Sequence, residues 1–296
     1  MSMIAFLGAI ESGLLYALVA LGIYLSFRVL EFPDLTVDGS FPLGAAVSAT
    51  FIVSGWNPWL ATAFAMIAGA CAGMVTGWLN VQLKILHLLA SILTMIALYS
   101  INLRIMGRPN IALLGETTLL TPVEKAGDGW GIPFYISTPL AFVVVVIVCS
   151  VLLIRFLNSE TGLAMRATGA NPRMARAQGV KTGWMILTGM ALSNALVALA
   201  GSLFAQSQGS ADVTMGVGVI VIGLASVIGG EALISPTSVL KAVLACIAGA
   251  ILYRLAIAFA LNLDVLGLKA QDLNLVTSIL VMIAIVLPRY RFRKSR

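Results

Sequence analysis

The chain has 296 residues, of which 60% are hydrophobic and only 10% are charged. This composition excludes an ordinary soluble domain, in which about a quarter of the residues are charged. The net charge of +6 would favour a nucleic-acid partner in a soluble protein. In a membrane protein, the usual excess of Lys and Arg on cytoplasmic loops explains this positive charge better. We therefore expect the chain to lie in a lipid bilayer and to bind no nucleic acid.

Nine apolar segments follow one another along the chain. Each is near the ~20 residues that a helix needs to cross the hydrocarbon core of a bilayer. Their approximate limits are 4–27, 36–55, 58–80, 84–105, 137–157, 183–205, 213–230, 236–260 and 267–287. Almost no sequence is left for a soluble domain. We therefore predict an all-α, polytopic membrane protein with about nine transmembrane segments in one domain, residues 1–296.

The basic residues set the predicted orientation of these segments. An N-terminus outside the membrane, followed by nine crossings, leaves the C-terminus in the cytoplasm. The predicted cytoplasmic segments are 28–35, 81–84, 158–182, 231–235 and 288–296. They hold most of the 18 Lys and Arg residues, as the enrichment of positive charge on cytoplasmic loops requires.

Ordered sequence matches divide the chain into two related halves. The matches pair residues 17–21 with 195–199, 34–36 with 212–214, and 91–97 with 278–284. They predict a repeat A over about 10–105 and a repeat B over about 188–290, separated by a linker span at 137–157 and a cytoplasmic loop at 158–182. Two related halves in a membrane protein are typical of transport, because they can enclose a pathway between them.

The number of crossings between the halves predicts their relative orientation. Repeat A begins outside and repeat B begins inside, five crossings later, so the two repeats should be inverted. This inversion depends on segment 213–230 spanning the membrane. Its glycines, among them Gly216, Gly218 and Gly223, leave a re-entrant segment open as the alternative.

Polar residues at matching places of the two halves are candidates for the lining of a translocation path. Prolines and glycines flank the first group, so the helix there should be interrupted, and irregular backbone in a membrane must be buried in protein or line a cavity. The alternative, weighted equally, is that the acids only cap helices. For the lone amide in the sixth span, interhelical hydrogen bonding is favoured over a pathway role. The candidates are Asp34, Thr36, Asp38, Asn194, Asp212 and Thr214.

The cytoplasmic loop 158–182 contains start and stop signals for two short helices. Ser159 should cap the first, and Gly169 should end it in a left-handed conformation. Asn171 should cap the second, with Pro172 at its first position and Gly179 closing it. An amphipathic, cation-bearing element of this kind suits docking to a partner subunit. The alternative is a solvated connector whose arginines only follow the charge rule.

Specific motifs in and around this loop carry a family resemblance. The stretch from Gly162 to Pro172, followed by Ala175 and Gly179-Val180, resembles the coupling loop of permeases from bacterial ABC importers, in the branched-chain amino acid and ribose group. Residues 27–44 and 103–111 resemble the subgroup found with tryptophan- or tyrosine-type binding proteins. Branched-chain substrates do not carry over, because Glu31-Phe-Pro-Asp-Leu-Thr replaces the usual Asn-Phe-Ala-His-Gly.

The resemblance implies a fold and a set of partners. The fold is that of type II, vitamin-B12-importer-like permeases in the bacterial inner membrane, working as a dimer, with a homodimer favoured over a heterodimer. ATP-binding subunits carrying ATP and magnesium would dock beneath, and a periplasmic or lipid-anchored binding protein would deliver the solute. The residues implied to contact the ATP-binding subunit are Glu160, Gly162, Arg166, Gly169, Asn171, Pro172 and Gly179.

The chain itself is predicted to be non-catalytic. It has no Gly-x-x-x-x-Gly-Lys-Ser/Thr loop for ATP, no metal-ligand spacing and no convergent catalytic set, so no cofactor or metal is expected. The leading interpretation is therefore the permease subunit of an ATP-driven importer for a small solute, such as an aromatic or other amino acid. A self-sufficient ion-coupled transporter and a non-transporting membrane scaffold are the alternatives.

Overall fold

The computed structural model describes residues 3–129, 131, 133–261 and 282. Its α-helices are α1 Met3–Ile23, α2 Val37–Val53, α3 Pro58–Val81, α4 His87–Met106, α5 Thr121–Gly129, α6 Phe134–Leu157, α7 Glu160–Ala170, α8 Pro172–Ala177, α9 Thr182–Gln208, α10 Val219–Leu233 and α11 Val239–Leu261. A π-helical turn, Tyr24–Val29, extends α1. The predicted ninth span, 267–287, lies outside the described residues except for Met282.

Two short strands complete the described secondary structure. Strand β1, Asn110–Ala112, pairs antiparallel with strand β2, Ser210–Asp212. They join the chain just after α4 to the chain just after α9. Neither these strands nor helix α5 in the loop after α4 is among the predicted elements, because both are short and lie between apolar segments.

The helices confirm the prediction of an all-α, multi-pass membrane protein. Six helical segments in the described part of the chain are long and apolar enough to cross a bilayer. They are Met3–Val29, Pro58–Val81, His87–Met106, Phe134–Leu157, Thr182–Gln208 and Val239–Ala260. Helices α2 and α10 coincide with two more predicted segments but have only 17 and 15 residues. At 1.5 Å per residue they measure about 25 and 22 Å, less than the ~30 Å hydrocarbon core.

The seventh apolar segment, with its approximate start at residue 213, does not begin as a helix. Residues 213–218 form turns, and α10 begins only at Val219. Gly218 has a φ of +83°, in the left-handed region, so the helix does not extend back through it. The apolar segment is therefore part turn and part helix.

The central helices are α1 and α9, which are buried along most of their length. Helix α3 packs along α9, and α11 packs along α1. Glycines allow these helices to approach closely, as is common where lipid surrounds a bundle. A methyl group added at Gly73 of α3 would overlap the carbonyl oxygen of Met190 on α9. The two short helices sit in matching positions, α2 against α3 and α9, and α10 against α11 and α1.

Helix α10 and the turn before it connect the two ends of the bundle. At one end, β2 pairs with β1, and the N–H of Leu113 donates to the carbonyl of Gly209. At the other end, Glu231 near the C-terminus of α10 forms an ion pair with Arg28 at the end of the α1 extension. Segment 209–233 therefore runs from one end to the other and does not turn back, which favours a crossing over a re-entrant segment.

Candidate functional site

The loop between α6 and α9 folds into two capped helices. The Ser159 hydroxyl accepts a hydrogen bond from the N–H of Gly162 at 3.3 Å. The Asn171 side-chain carbonyl accepts from the N–H groups of the second and third residues after it, at 3.2 and 3.0 Å. Pro172 is the first residue of α8, and Gly179, with a φ of +85°, follows its end. The structure confirms these four local predictions.

The prediction that Gly169 ends α7 in a left-handed conformation is wrong. Helix α7 continues to Ala170, and Gly169 is helical. The helix ends because Asn171 is extended, at φ −157° and ψ 95°, and a residue before proline avoids the helical region. Gly169 serves close packing instead. A methyl group there would overlap the carbonyl oxygen of Val29, at the end of the α1 extension.

The predicted contact residues divide into an exposed set and a buried set. Gly162 and Gly169 are buried; Gly162 packs against the backbone at the end of α6. The others are exposed: Glu160, Arg166, Asn171, Pro172 and Gly179. Two apolar side chains share the exposed surface, Leu163 at 52% exposure and Met174 at 58%. The loop thus presents apolar and cationic groups together, supported by glycines that hold it against the helix ends.

A buried polar cluster surrounds Asp34, in the connector between the α1 extension and α2. Its carboxylate accepts hydrogen bonds from the Thr36 N–H at 2.9 Å and from the Asn194 amide at 2.8 Å. The Asn194 carbonyl accepts from the Ser40 hydroxyl at 2.6 Å. The hydroxyls of Thr36 and Thr76 lie 2.8 Å apart. All these side chains are fully enclosed. The cluster therefore joins α2, α3 and α9.

The second predicted acid, Asp38, caps a helix from another part of the chain. Its carboxylate accepts hydrogen bonds from the N–H groups of Gly218 and Ile220, at 3.4 and 2.8 Å. These groups lie at the N-terminus of α10, where the helix dipole favours a negative charge. Asp38 thereby holds the start of α2 against the start of α10.

Asp212 forms the same local turn as Asp34 but in an exposed setting. In each case the carboxylate accepts from the N–H of the threonine two residues on: Thr36 at 2.9 Å and Thr214 at 2.7 Å. The Asn110 amide also donates to Asp212, across the β1–β2 pair. The hydroxyl and the N–H of Thr214 hold the pKa of the Asp212 carboxyl below its usual value. The structure does not bring Asp212 and Thr214 to the Asp34 cluster.

A cavity of about 470 Å³ lies between the start of α2, helix α4 and the turn before α10. Among the predicted path residues, it brings together Asp38 and Thr214. The predicted path residues include none from α4, although Asn102 places an amide in this largely apolar helix. The lining residues are Asp38, Gly39, Pro42, Met95, Ile96, Tyr99, Ser100, Asn102, Val213, Thr214 and Val217.

Within the described ranges, no group of three or more His, Cys, Asp or Glu side chains lies close enough together to hold a metal ion. The geometry supplies an exposed pair of capped helices at one end of the bundle, two polar helix junctions inside it, and a cavity beside one of them.

A family model described as "Branched-chain amino acid transport system / permease component" matches residues 5–286. The chain belongs to this family. It is thus a permease of the group that serves branched-chain amino acid and ribose ABC importers, a membrane subunit that is not itself an enzyme. Membership also implies an ATP-binding subunit and a binding protein as partners.

Three curated relatives illustrate the breadth of this permease family. The "Tyrosine transport system permease protein" of Clostridioides difficile is 38% identical over 93% of this chain and 88% of its own length. The "Probable branched-chain amino acid transport permease protein LivH" of Methanocaldococcus jannaschii is 27% identical over 95% and 88%. The "Ribose import permease protein RbsC" of Escherichia coli K12 is 24% identical over 86% and 76%.

A solved structure shares the fold of this permease. A chain of "PsaBC from Streptococcus pneumoniae in complex with Fab" superposes with a TM-score of 0.51 at 12% sequence identity. The match covers 95% of the present chain and 89% of that one. The likeness therefore extends over the whole bundle, although little of the sequence is shared.

Proposed function

We propose that this permease forms the translocation path of an ATP-driven importer, and that residues 158–182 couple it to the ATP-binding subunit. The exposed face of α7 and α8 carries the proposal. Leu163 and Met174 expose more than half of their side chains on a rigid, capped element. Large apolar side chains with neighbouring arginines are typical of a docking surface.

The residues packed behind the exposed face of α7 and α8 connect this face to the other helices of the bundle. Gly169 touches the backbone of Val29, and Gly189 of α9 packs against Leu30 and Met165. A shift of α7 would therefore act on the connector that leads to Asp34 and α2. The contact set is Glu160, Gly162, Arg166, Gly169, Asn171, Pro172 and Gly179, with the two buried glycines positioning the exposed residues. ATP and magnesium bind the partner subunit in this scheme.

The same proposal includes two inverted halves in a type II permease fold with about nine spans. Identical Asp-x-Thr turns precede the two short helices, α2 and α10. The halves also pack reciprocally, with α3 on α9 and α11 on α1. These features support repeats A and B at about 10–105 and 188–290, in a chain that forms one transmembrane domain. Broken helices at matching places are a common way to build a path in transporters.

The path residues and the assembly belong to the proposal as well. Asp38 and Thr214 line the cavity beside α4, whereas Asp34, Thr36 and Asn194 hold the helices that frame it; Asp212 supports Thr214 from the turn. The importer is a homodimer in the bacterial inner membrane, supplied by a periplasmic or lipid-anchored binding protein. The solute is an amino acid, with an aromatic one favoured by the relative named as a tyrosine permease.

A gentle purification from the native membrane, followed by mass spectrometry, tests this function. We expect an ATP-binding subunit at stoichiometric amounts with the wild-type chain. The double variant Arg166→Ala, Asn171→Ala should lose it. Arg155→Ala is the matched control, because Arg155 is exposed at the end of α6 but lies outside the docking element. Retention of the subunit by the double variant would refute the coupling role; a chain that purifies alone would favour an ion-coupled transporter.

A further inference from the structure

A second cavity, of about 530 Å³, lies between helix α5 and the first half of helix α6. Pro122, Val123 and Ala126 of α5 line it, and so do Leu140 and Val144 of α6. Helices α5 and α6 also pack against each other directly. The cavity is therefore a recess within the contact between a loop helix and a membrane span, away from the polar junctions of the bundle.

The lining of this recess offers almost nothing polar to a ligand. No charged side chain is among the described residues that line it. Ser137 carries a hydroxyl, but this group donates to the carbonyl of Phe134 in its own helix, at 3.2 Å. A charged solute would lose its hydration here without replacement, and a water molecule needs two to four polar partners. The chemistry of the recess thus favours a hydrocarbon.

The recess opens toward the surroundings of α6. Leu140 and Val144 are 59% and 57% exposed. They lie six and ten residues beyond Phe134, where α6 begins, and thus about 9 and 15 Å along the helix. Because α6 is long and apolar enough to cross a bilayer, this exposed surface faces the hydrocarbon of the membrane. The recess is continuous with that surface.

Helix α5 has the side-chain pattern of a helix that lies in the membrane interface. Val123, Ala126 and Gly127 share one face and line the recess, whereas Lys125 is exposed on another. Amphipathic helices of this kind lie at the boundary between headgroups and acyl chains. Trp59 also lines the recess and is 68% exposed, as is common for tryptophan at this boundary. The α5 side of the recess is therefore the side near the lipid headgroups.

We propose that this recess is a binding site for one acyl chain of a membrane phospholipid. The headgroup lies at the level of α5, and the chain runs along α6 past Leu140 as far as Val145. By filling the space between the two helices, the chain holds α5 against the bundle. The inference does not depend on the proposed importer function, because lipid binding is measured without transport.

Two valines of α6 provide a matched test. Val144 lines the recess, whereas Val148, about one turn further on, does not; they are 57% and 50% exposed. The full-length permease is reconstituted in phosphatidylcholine vesicles, extracted in mild detergent and measured by native mass spectrometry. We expect the wild-type chain to retain one phosphatidylcholine molecule. Val144→Trp should lower the retained fraction roughly tenfold, because the indole displaces methylene groups from the apolar walls. Val148→Trp should retain the wild-type fraction.

The same spectra contain the results that would overturn the site. A wild-type chain without phosphatidylcholine, or full retention by Val144→Trp, would reject it. Equal loss in both variants would assign the lipid to the general surface of α6. A lipid-free wild-type dimer that Val144→Trp dissociates would assign the recess to contact between two copies of the chain.

A second measurement needs no variant. Phosphatidylcholine with a photoreactive diazirine in its acyl chain is added to vesicles that contain the wild-type permease, and the adducts are mapped by mass spectrometry after illumination. We expect adducts on both sides of the recess, within residues 119–127 and 137–145. Adducts on α6 without any on α5 would contradict a chain held between the two helices.

Discussion

Asp34 shows how this bundle keeps a carboxylate away from solvent. Both of its oxygens accept hydrogen bonds, one from a backbone N–H and one from the Asn194 amide. Asn194 in turn accepts from Ser40, so its own polar groups are also used. Because no solvent reaches these groups, removing one donor leaves a buried acceptor without compensation.

Replacement of Asn194 by leucine should therefore destabilise the bundle. The size of the side chain is kept, but Asp34 and Ser40 both lose a partner, at a cost of about 1–3 kcal/mol. We expect a lower midpoint for thermal unfolding of the detergent-solubilised protein, read as loss of soluble, monodisperse material. Asp212→Asn is the control, because the equivalent turn is exposed and its amide keeps the hydrogen-bond acceptor. Equal stability of the two variants would contradict a structural role for the Asn194 contact.

Contacts between residues can be predicted from the sequence when the two partners lie close together along the chain. The caps at Ser159 and Asn171 join atoms within three residues, so side-chain type and spacing are enough to find them. The bond between Asn194 and Asp34 joins residues 160 positions apart. No local pattern encodes that pairing, although both residues are among the predicted path candidates.

The contact between α7 and the α1 extension links the proposed docking element to the bundle. It depends on Gly169, which has no side chain to separate the two backbones. In the sequence this glycine was indistinguishable from a helix terminator, because it stands two residues before Asn171 and three before Pro172. Its role in packing against Val29 depends on a tertiary contact that the local sequence does not indicate. The local signal at Gly169 thus led to a wrong helix end and gave no sign of the helix packing that this residue allows.

Gly169→Ala should weaken this contact. The added methyl group overlaps a backbone oxygen, which cannot move aside as a flexible side chain would, so α7 must shift away from Val29. We expect ATP hydrolysis by the reconstituted complex to lose its stimulation by the solute-loaded binding protein, by roughly tenfold or more, while basal hydrolysis persists. Gly8→Ala provides the control, since a methyl group there meets nothing within 4 Å. Full stimulation in Gly169→Ala would rule out this route of coupling.

The two short helices, α2 and α10, show where hydropathy fails to predict secondary structure. Residues 213–218 are apolar enough to extend the predicted seventh span, yet they form turns around Gly218. In the first half, the connector to α2 is held by Asp34 in the same kind of turn. Hydropathy detects apolar segments, but it does not distinguish a helix from a turn made of apolar residues.

At the scale of the whole molecule, each half depends on the other for its packing. Helices α3 and α11 each lie against the central helix of the opposite half, and Asp38 of the first half caps α10 of the second. The repeated sequence segments predicted two related halves. They did not predict that helices of one half pack against the central helix of the other, because a match between two segments gives no information about which segments are in contact. The largest buried cluster accordingly draws residues from both halves.

The distribution of positive charge predicts the orientation of the whole bundle in the membrane. One end carries Arg28 and the arginines of α7 and α8, and the linkage through Gly169 and Glu231 fixes all of these at the same end. The rule that cytoplasmic loops are positive therefore places this end inside and the β1–β2 end outside.

Single cysteines at two exposed loop positions, Gln82→Cys and Thr117→Cys, mark the two ends. An impermeant thiol reagent on intact cells should label Thr117→Cys and leave Gln82→Cys unlabelled until the membrane is opened. The unmodified chain is the control, since Cys71, Cys149 and Cys246 all lie within helices. The reverse pattern would invert the bundle and move the α7–α8 surface away from any cytoplasmic ATP-binding subunit.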